Sequence, residues 1–286
     1  MNSDCAFFTG KSHYVCQDYA TSGIKNGLAY AIVSDGCSGS PNTDFGSRFL
    51  SLAAVQALDN FESNSEEYFL HVASVAKTQS LSLGLDSTSI DATLLTLTAK
   101  DGLVNGSIYG DGFLIVKYQD YDHVHVTSVE CTSENSKEFP SYPSYLLDPQ
   151  RMESWEKINP DGIDIDKYFL DIKNINKTEP TCDKLIHENK TVYTGYRDKW
   201  LEISGQIEDI EWIAVASDGT KTFTQRMPGE KPRRIETIEA LSSMLDFKGF
   251  KGEFIKRQTN WFMRENMKNS WFHDDDLSIA GIYVGD

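Results

Sequence analysis

Asp35 and Asp218 share one local setting. Each follows an apolar run, Leu28-Ala29-Tyr30-Ala31-Ile32-Val33 in one case and Trp212-Ile213-Ala214-Val215-Ala216 in the other, and each precedes a glycine, Gly36 or Gly219. Asp275 stands just ahead of a third apolar run, Leu277 to Val284, within His273-Asp274-Asp275-Asp276. Asp111 lies between Gly110 and Gly112, and Asp18 follows Gln17 in a loop. If the apolar runs are neighbouring strands, these carboxylates converge on one edge. Unpaired carboxylates in a cleft repel one another and lose hydration. Hard divalent cations that prefer oxygen ligands, Mg²⁺ or Mn²⁺, relieve both penalties. Two such ions ~4 Å apart, sharing one carboxylate, lower the pKa of a bound water from 15.7 toward about 7 and supply a nucleophile for in-line attack at phosphorus. Taken singly, an aspartate in so acidic a chain is more often a turn former or a solvated charge than a metal ligand.

The elements that must position these residues follow from hydrophobic period and turn chemistry. Residues 4–8 and 28–34 read as strands, with Gly10 to Asn26 looping between them. Asn42 or Thr43 caps a helix to Phe61, and a second helix runs from Glu66 to Leu83 with Gly84 as its stop. Segments 91–99, 103–109 and 113–118 read as an antiparallel meander, turned by Lys100-Asp101-Gly102 and by Gly110-Asp111-Gly112. Another strand is expected over 122–130. From 131 to 211 the signal weakens: Pro140, Pro143, Pro149, Pro160 and Pro180 mark an irregular insertion with short helices, a candidate flap. Order returns at Trp212, followed by helices over 234–246 and 252–268 and the last strand. The pattern is α+β, antiparallel sheet packed with helices in a single unit spanning 1–286.

Composition narrows the function classes. Of 286 residues, 40% are hydrophobic, and 27 basic against 43 acidic residues leave a net charge of −16. Such acidity disfavours nucleic acid and anionic membranes, which need a cationic face, and suits divalent cations. Five cysteines, Cys5, Cys16, Cys37, Cys131 and Cys182, include no CxxC pair, so reduced thiols are expected rather than a zinc site or disulfide framework. No apolar run approaches the ~18 residues of a membrane span, and no signal peptide is apparent at the N-terminus. A cytoplasmic location is the expectation.

The ordered set Gln17-Asp18, Val33-Ser34-Asp35-Gly36, Asp91-Ala92-Thr93-Leu94 leading to Gly110-Asp111-Gly112, Ala216-Ser217-Asp218-Gly219 and Asp275-Asp276-Leu277-Ser278-Ile279 resembles the metal-dependent (type 2C) protein serine/threonine phosphatases. It looks closest to their divergent prokaryotic or phage branch. The resemblance covers nearly the whole chain apart from 131–211. It implies a four-layer α-β-β-α sandwich of two antiparallel sheets flanked by helices, with a two-metal Mg²⁺ or Mn²⁺ centre at one end. By that resemblance Asp35 bridges both ions, the Gly36 carbonyl binds one, Asp218 and Asp275 bind the other, and Asp18 orients the attacking water. Asp111 matches the aspartate that helps hold a third, weaker ion. The implied partner is a phosphoprotein carrying phosphoserine or phosphothreonine, with a cognate kinase upstream.

Two positions depart from the family pattern. Where well-known members carry a phosphate-gripping arginine, five residues before Asp18, this chain has His13. Imidazole can donate to phosphate, though without a bidentate fork, and Lys11 is the other candidate. Where a further aspartate is common, four residues after Asp218, this chain has Thr222, which puts the third ion in question. Two other function classes therefore stay open: a silent phosphatase-fold binding module, and a phosphatase of small metabolites. Other motifs fall away. Gly10-Lys11-Ser12 lacks the earlier glycine of a phosphate loop, Cys5 standing there. His123 and His125 share a strand face without further metal ligands. The calcium-loop hint at Asn159 to Asp166 has Lys157 where a ligand is needed. Cys37 has Arg48 too far along for a cysteine phosphatase.

Overall fold

The computed structural model describes residues 1–121, 123–131, 140–159, 163–170, 193–197 and 199–285. In chain order the elements are β1 (Asn2–Phe8), β2 (Tyr19–Lys25), β3 (Leu28–Ser34), α1 (Thr43–Ala57), α2 (Glu66–Ser82), β4 (Leu94–Lys100), β5 (Leu103–Tyr109), β6 (Gly112–Tyr118) and β7 (Val124–Cys131). Then come α3 (Pro149–Ile158), β8 (Ile163–Leu170), β9 (Tyr193–Arg197), β10 (Trp200–Gln206), β11 (Ile210–Ala216), β12 (Phe223–Gln225), β13 (Arg233–Arg234), α4 (Thr237–Met244), α5 (Phe254–Lys268), β14 (Trp271–His273) and β15 (Leu277–Tyr283).

Two antiparallel sheets, ordered β1-β15-β11-β6-β7-β8 and β2-β3-β4-β5-β10-β9, lie face to face. Alternation along each strand divides the core. Ala31 and Val33 of β3 and Ile213 and Val215 of β11 fill the space between the sheets. Ile32 turns outward under Leu50, Ala54 and Phe69 of α1 and α2, while Ala214 and Ala216 turn outward under Leu241 and Phe254. Both faces of these strands are thus covered, which is why they read as unbroken apolar runs. The result is a four-layer α-β-β-α sandwich. A small sheet, β13-β12-β14, sits at its edge.

Three segments differ from the sequence expectation. Tyr19–Lys25, expected as loop, pairs with β3 in a hairpin closed by Asn26 (φ 51°) and Gly27 (φ 78°). That is the Asn-Gly signal of a two-residue hairpin turn, hidden because Tyr19-Ala-Thr-Ser-Gly is weakly apolar. The expected meander breaks after its first hairpin: β4 pairs with β5, but β6 joins the other sheet between β11 and β7. Asp111 is therefore at the crossing between sheets, not in a hairpin turn. Within 131–211, β10 pairs with β5 from Trp200↔Tyr109 to Gln206↔Leu103, so the irregular stretch ends earlier than expected. Its serine, glycine and glutamate residues masked the alternation of Leu201 and Ile203.

Candidate active site

Asp35 leaves β3, Asp111 links β5 to β6, Asp218 leaves β11, Asp275 enters β15 and Asp18 enters β2. These strand ends meet at one mouth of the sandwich. Asp35, Asp111, Asp218 and Asp275 line a cleft of about 300 Å³ with Gly36 to Gly39, Thr93, Pro140 and Tyr142. Among the described residues no lysine, arginine or histidine lines it. Volume alone does not mark the site. A hollow of about 400 Å³ by Tyr145, Arg151 and Trp155 is larger, but its one carboxylate, Asp148, already caps α3.

The backbone at Asp35 is fixed from both sides. Its N–H donates to Thr93 Oγ1 at 3.1 Å, and its carbonyl accepts from the Thr93 N–H at 2.8 Å. The Cys37 N–H donates to the Asp91 carbonyl at 2.9 Å, and Thr43 Oγ1 at the start of α1 donates to the Cys37 carbonyl at 3.1 Å. Asn42 takes the N-cap place without a side-chain bond, so Thr43 braces the loop instead of capping. The glycines after the two strand-end aspartates are required by close approach. A Cβ on Gly36 would stand 2.8 Å from the Gln17 carbonyl oxygen, and one on Gly219 only 1.7 Å from that of Asp276.

The carboxylates perturb one another. Burial, then the charges of Asp18, Asp218 and Asp111, pushes the Asp35 carboxyl well above the usual range. Burial and the Asp218 charge push Asp111 up to about 8, against the pull of Lys221. Burial and Asp218 also raise Asp275. Asp18, fully buried, is pushed up to about 7 mainly by burial, while the neighbouring Ser278, Ser217 and Asp35 side chains oppose the shift. Its Oδ2 accepts from Ser278 Oγ at 2.6 Å, while Oδ1 has no hydrogen-bond partner among the described residues. No three or more His, Cys, Asp or Glu side chains among the described residues are drawn together as a ready-made metal cage. Even so, the donor set fits divalent cations: four acidic side chains around one cleft, no lysine, arginine or histidine among its described lining residues, and an orphaned carboxylate oxygen behind them.

His13 and Lys11 both lie off the cleft lining. His13 Nδ1 is 2.9 Å from Oδ2 of Asp276 and 3.6 Å from Oδ1 of Asp275, as an ion pair rather than an aligned hydrogen bond. Burial of the ring works against its charge, but the Asp276 contact and the Asp276, Asp275 and Asp18 charges outweigh it and raise its pKa. Asp276, buried, also accepts from the N–H groups of Gly10 at 2.6 Å and Gln17 at 2.5 Å. Lys11 places Nζ 4.3 Å over the Phe272 ring. Thr222 Oγ1 donates to the Gly219 carbonyl and accepts from the Asp275 N–H.

Asp91, Thr93, Asp276 and Ser278 fall within the sequence motifs, which assign them no role. Their signal was polar side chains at the ends of apolar runs, where burial demands partners. His123 and His125 stack on each other at 4.9 Å beside Tyr118 and Tyr121, away from the cleft. The calcium-loop hint falls partly on 160–162, outside the described residues. Cys5, Cys16 and Cys37 are free thiols, while Cys182 and the Cys131 side chain lie outside the described residues. Among the described residues no helix is long and apolar enough to cross a membrane.

The model of the family Protein phosphatase 2C matches residues 9–268. Serine/threonine phosphatase Stp1 from Staphylococcus aureus superposes with a TM-score of 0.54 at 10% identity, over 99% of this chain and 95% of that one. A bacterial serine phosphatase gives 0.53 at 11% identity, over 100% and 98%. PppA, a regulatory component of T6SS in Pseudomonas aeruginosa, gives 0.50 at 13% identity, over 98% and 96%. At these identities the likeness is one of fold. No curated protein matches the chain.

Proposed function

Because the chain belongs to the protein phosphatase 2C family, we propose that it is a single-domain, metal-dependent phosphatase that hydrolyses phosphoserine and phosphothreonine in proteins, downstream of the kinase that installs them. The observation that carries this reading is the acidic cleft, four aspartates and no cation among its described lining residues. Asp35 with the Gly36 carbonyl, together with Asp218 and Asp275, would hold two Mg²⁺ or Mn²⁺ ions, with Asp111 available to a third. When bound, such ions supply an acidified water and neutralise the phosphoryl oxygens.

The chain's own residues do the rest. Asp18 holds or releases a proton at its unpartnered Oδ1 beside Asp35. Thr93 fixes the backbone from which Asp35 projects. Thr222 and Asp276 hold the Asp275 turn from its two sides. His13 enters this reading as a brace for that turn.

The test is release of phosphate from p-nitrophenyl phosphate with Mn²⁺, with and without EDTA, in the wild type and Asp35→Asn. Activity that persists in EDTA, or at full rate in Asp35→Asn, sinks the mechanism. Absence of Mn²⁺ binding by calorimetry favours a silent binding module. Preference for sugar phosphates or nucleotides over phosphopeptides favours a metabolite phosphatase.

A further inference from the structure

Asp91 is a carboxylate that the proposed chemistry leaves unused, and it is 1% exposed. A charge so placed is costly unless fully partnered. Its Oδ1 accepts from Ser144 Oγ at 2.7 Å and Arg151 Nη1 at 3.0 Å; its Oδ2 accepts from Ser40 Oγ at 2.9 Å and Arg151 Nη2 at 2.7 Å. The donors come from separate segments. Ser40 lies in the loop that runs from Asp35-Gly36 to the start of α1. Ser144 lies in a 3-10 turn, Pro143–Leu147, just after the cleft residues Pro140 and Tyr142. Arg151 sits in the first turn of α3, where Asp148 caps the helix through the Gln150 and Arg151 N–H groups and Pro149 starts it. The Tyr145 ring packs 4.5 Å from the guanidinium and holds it in register.

We propose that Arg151 is a positioning residue. Acting through Asp91, it locks the Pro140–Tyr142 wall of the cleft to the Cys37–Ser40 loop, and so shapes the mouth through which a peptide-borne phosphate reaches the aspartates. The planar fork of arginine matches both carboxylate oxygens. Without it Asp91 keeps two neutral hydroxyl donors, too few to hold a buried charge in place, and the two walls come apart. Lysine keeps the charge but can replace only one of the two bonds. The wall is also packed through Leu146 against the helices, so the alternative is that packing alone sets it.

Hydrogen exchange on the full metal-free chain separates the two. In Arg151→Met the lock requires amides of both 37–41 and 140–147 to exchange about tenfold faster while those of β4 and β11 keep their rates; Arg151→Lys should fall between. Acceleration confined to 148–158, or none at 37–41, overturns the proposal. Should Arg151→Met weaken the whole fold, Ser40→Ala and Ser144→Ala decide. Faster exchange at 37–41 in the first and at 140–147 in the second supports the lock, and unchanged rates in both overturn it. The kinetic arm rests on the phosphatase reading. Arg151→Met should raise KM for a phosphopeptide about tenfold and leave kcat for p-nitrophenyl phosphate within about threefold, whereas equal losses on both substrates overturn the role at the mouth. A wild type that hydrolyses neither substrate removes the phosphatase reading, and the exchange result still decides the lock.

Discussion

Thr222 Oγ1 accepts a hydrogen bond from the backbone N–H of Asp275 at 3.2 Å and donates to the Gly219 carbonyl at 2.8 Å. One hydroxyl thus ties the Asp218-Gly219 turn to the Asp275 turn, across two candidate ligands. The threonine that departs from the family pattern is a strut here, not merely a missing carboxylate. Thr222→Val keeps the shape and removes the strut, leaving the Asp275 N–H unpartnered at a cost of about 1 kcal/mol, while the Gly219 carbonyl keeps the Thr222 N–H at 3.1 Å. Mn²⁺ affinity measured by calorimetry should fall about fivefold, and Thr222→Ser should restore most of it. Wild-type affinity in the valine variant would show that the Asp275 turn holds itself.

Asp35 is the most crowded of the carboxylates, pressed by Asp18, Asp218 and Asp111. Asp35→Asn replaces a buried carboxyl that resists ionisation among its neighbours with a neutral amide of the same size. Metal-free protein should therefore gain about 0.5–2 kcal/mol of stability as it loses Mn²⁺ binding and turnover. Thermal melts with and without Mn²⁺ check both halves. A variant less stable than the metal-free wild type would mean that the aspartate is satisfied without a cation.

Much of this site was legible because both faces of β3 and β11 are covered. Unbroken apolar runs ending in Asp-Gly are hard to produce except at the mouth of a buried strand. The helices were legible for the same reason, through their apolar stripes. What stayed hidden was pairing over long separations. Nothing near Asp111 announces that β6 leaves the sheet of β5 for that of β11, and nothing near Arg151 announces a buried carboxylate 60 residues earlier. β2 was missed because its polar residues mask its alternation, although Asn26-Gly27 was in plain view. The motif shows only where His13 stands relative to Asp18, whereas its surroundings are set by Asp276 at the far end of the chain.

Metal-free stability should fall as pH rises. Asp18 and Asp111 are held up to about 7 and about 8 in the folded protein, chiefly by burial, against about 3.9 for an unfolded aspartate. The fold therefore keeps protons that the unfolded chain has released. The stability this confers is fully present below pH ~4 and is lost as pH climbs through the raised values. Melting temperature in EDTA should drop between pH 5 and pH 8, and saturating Mn²⁺ should flatten the slope. Mn²⁺ binding at pH 6 should release protons, seen in calorimetry as heats that vary with buffer ionisation enthalpy. Identical heats across buffers would show that the carboxylates are already ionised.

His13 and Asp276 make the remaining prediction, which separates a brace from a phosphate ligand. Asp276→Ala strands the Gly10 and Gln17 N–H groups and the imidazole, a loss of about 3–5 kcal/mol for breaking a buried pair. His13→Ala removes only the ring and should cost less. Because the folded protein holds the His13 pKa above its ordinary value, its contribution to stability is fully present below pH ~6.5 and fades as pH rises through the raised value. Metal-free melts should therefore show a larger deficit for His13→Ala at pH 6 than at pH 9. If His13 braces the Asp275 turn, KM for p-nitrophenyl phosphate should stay within about threefold of wild type while Mn²⁺ affinity falls. A large rise in KM with Mn²⁺ binding unchanged would instead put the imidazole on the phosphate, with the Asp276 contact given up when substrate arrives.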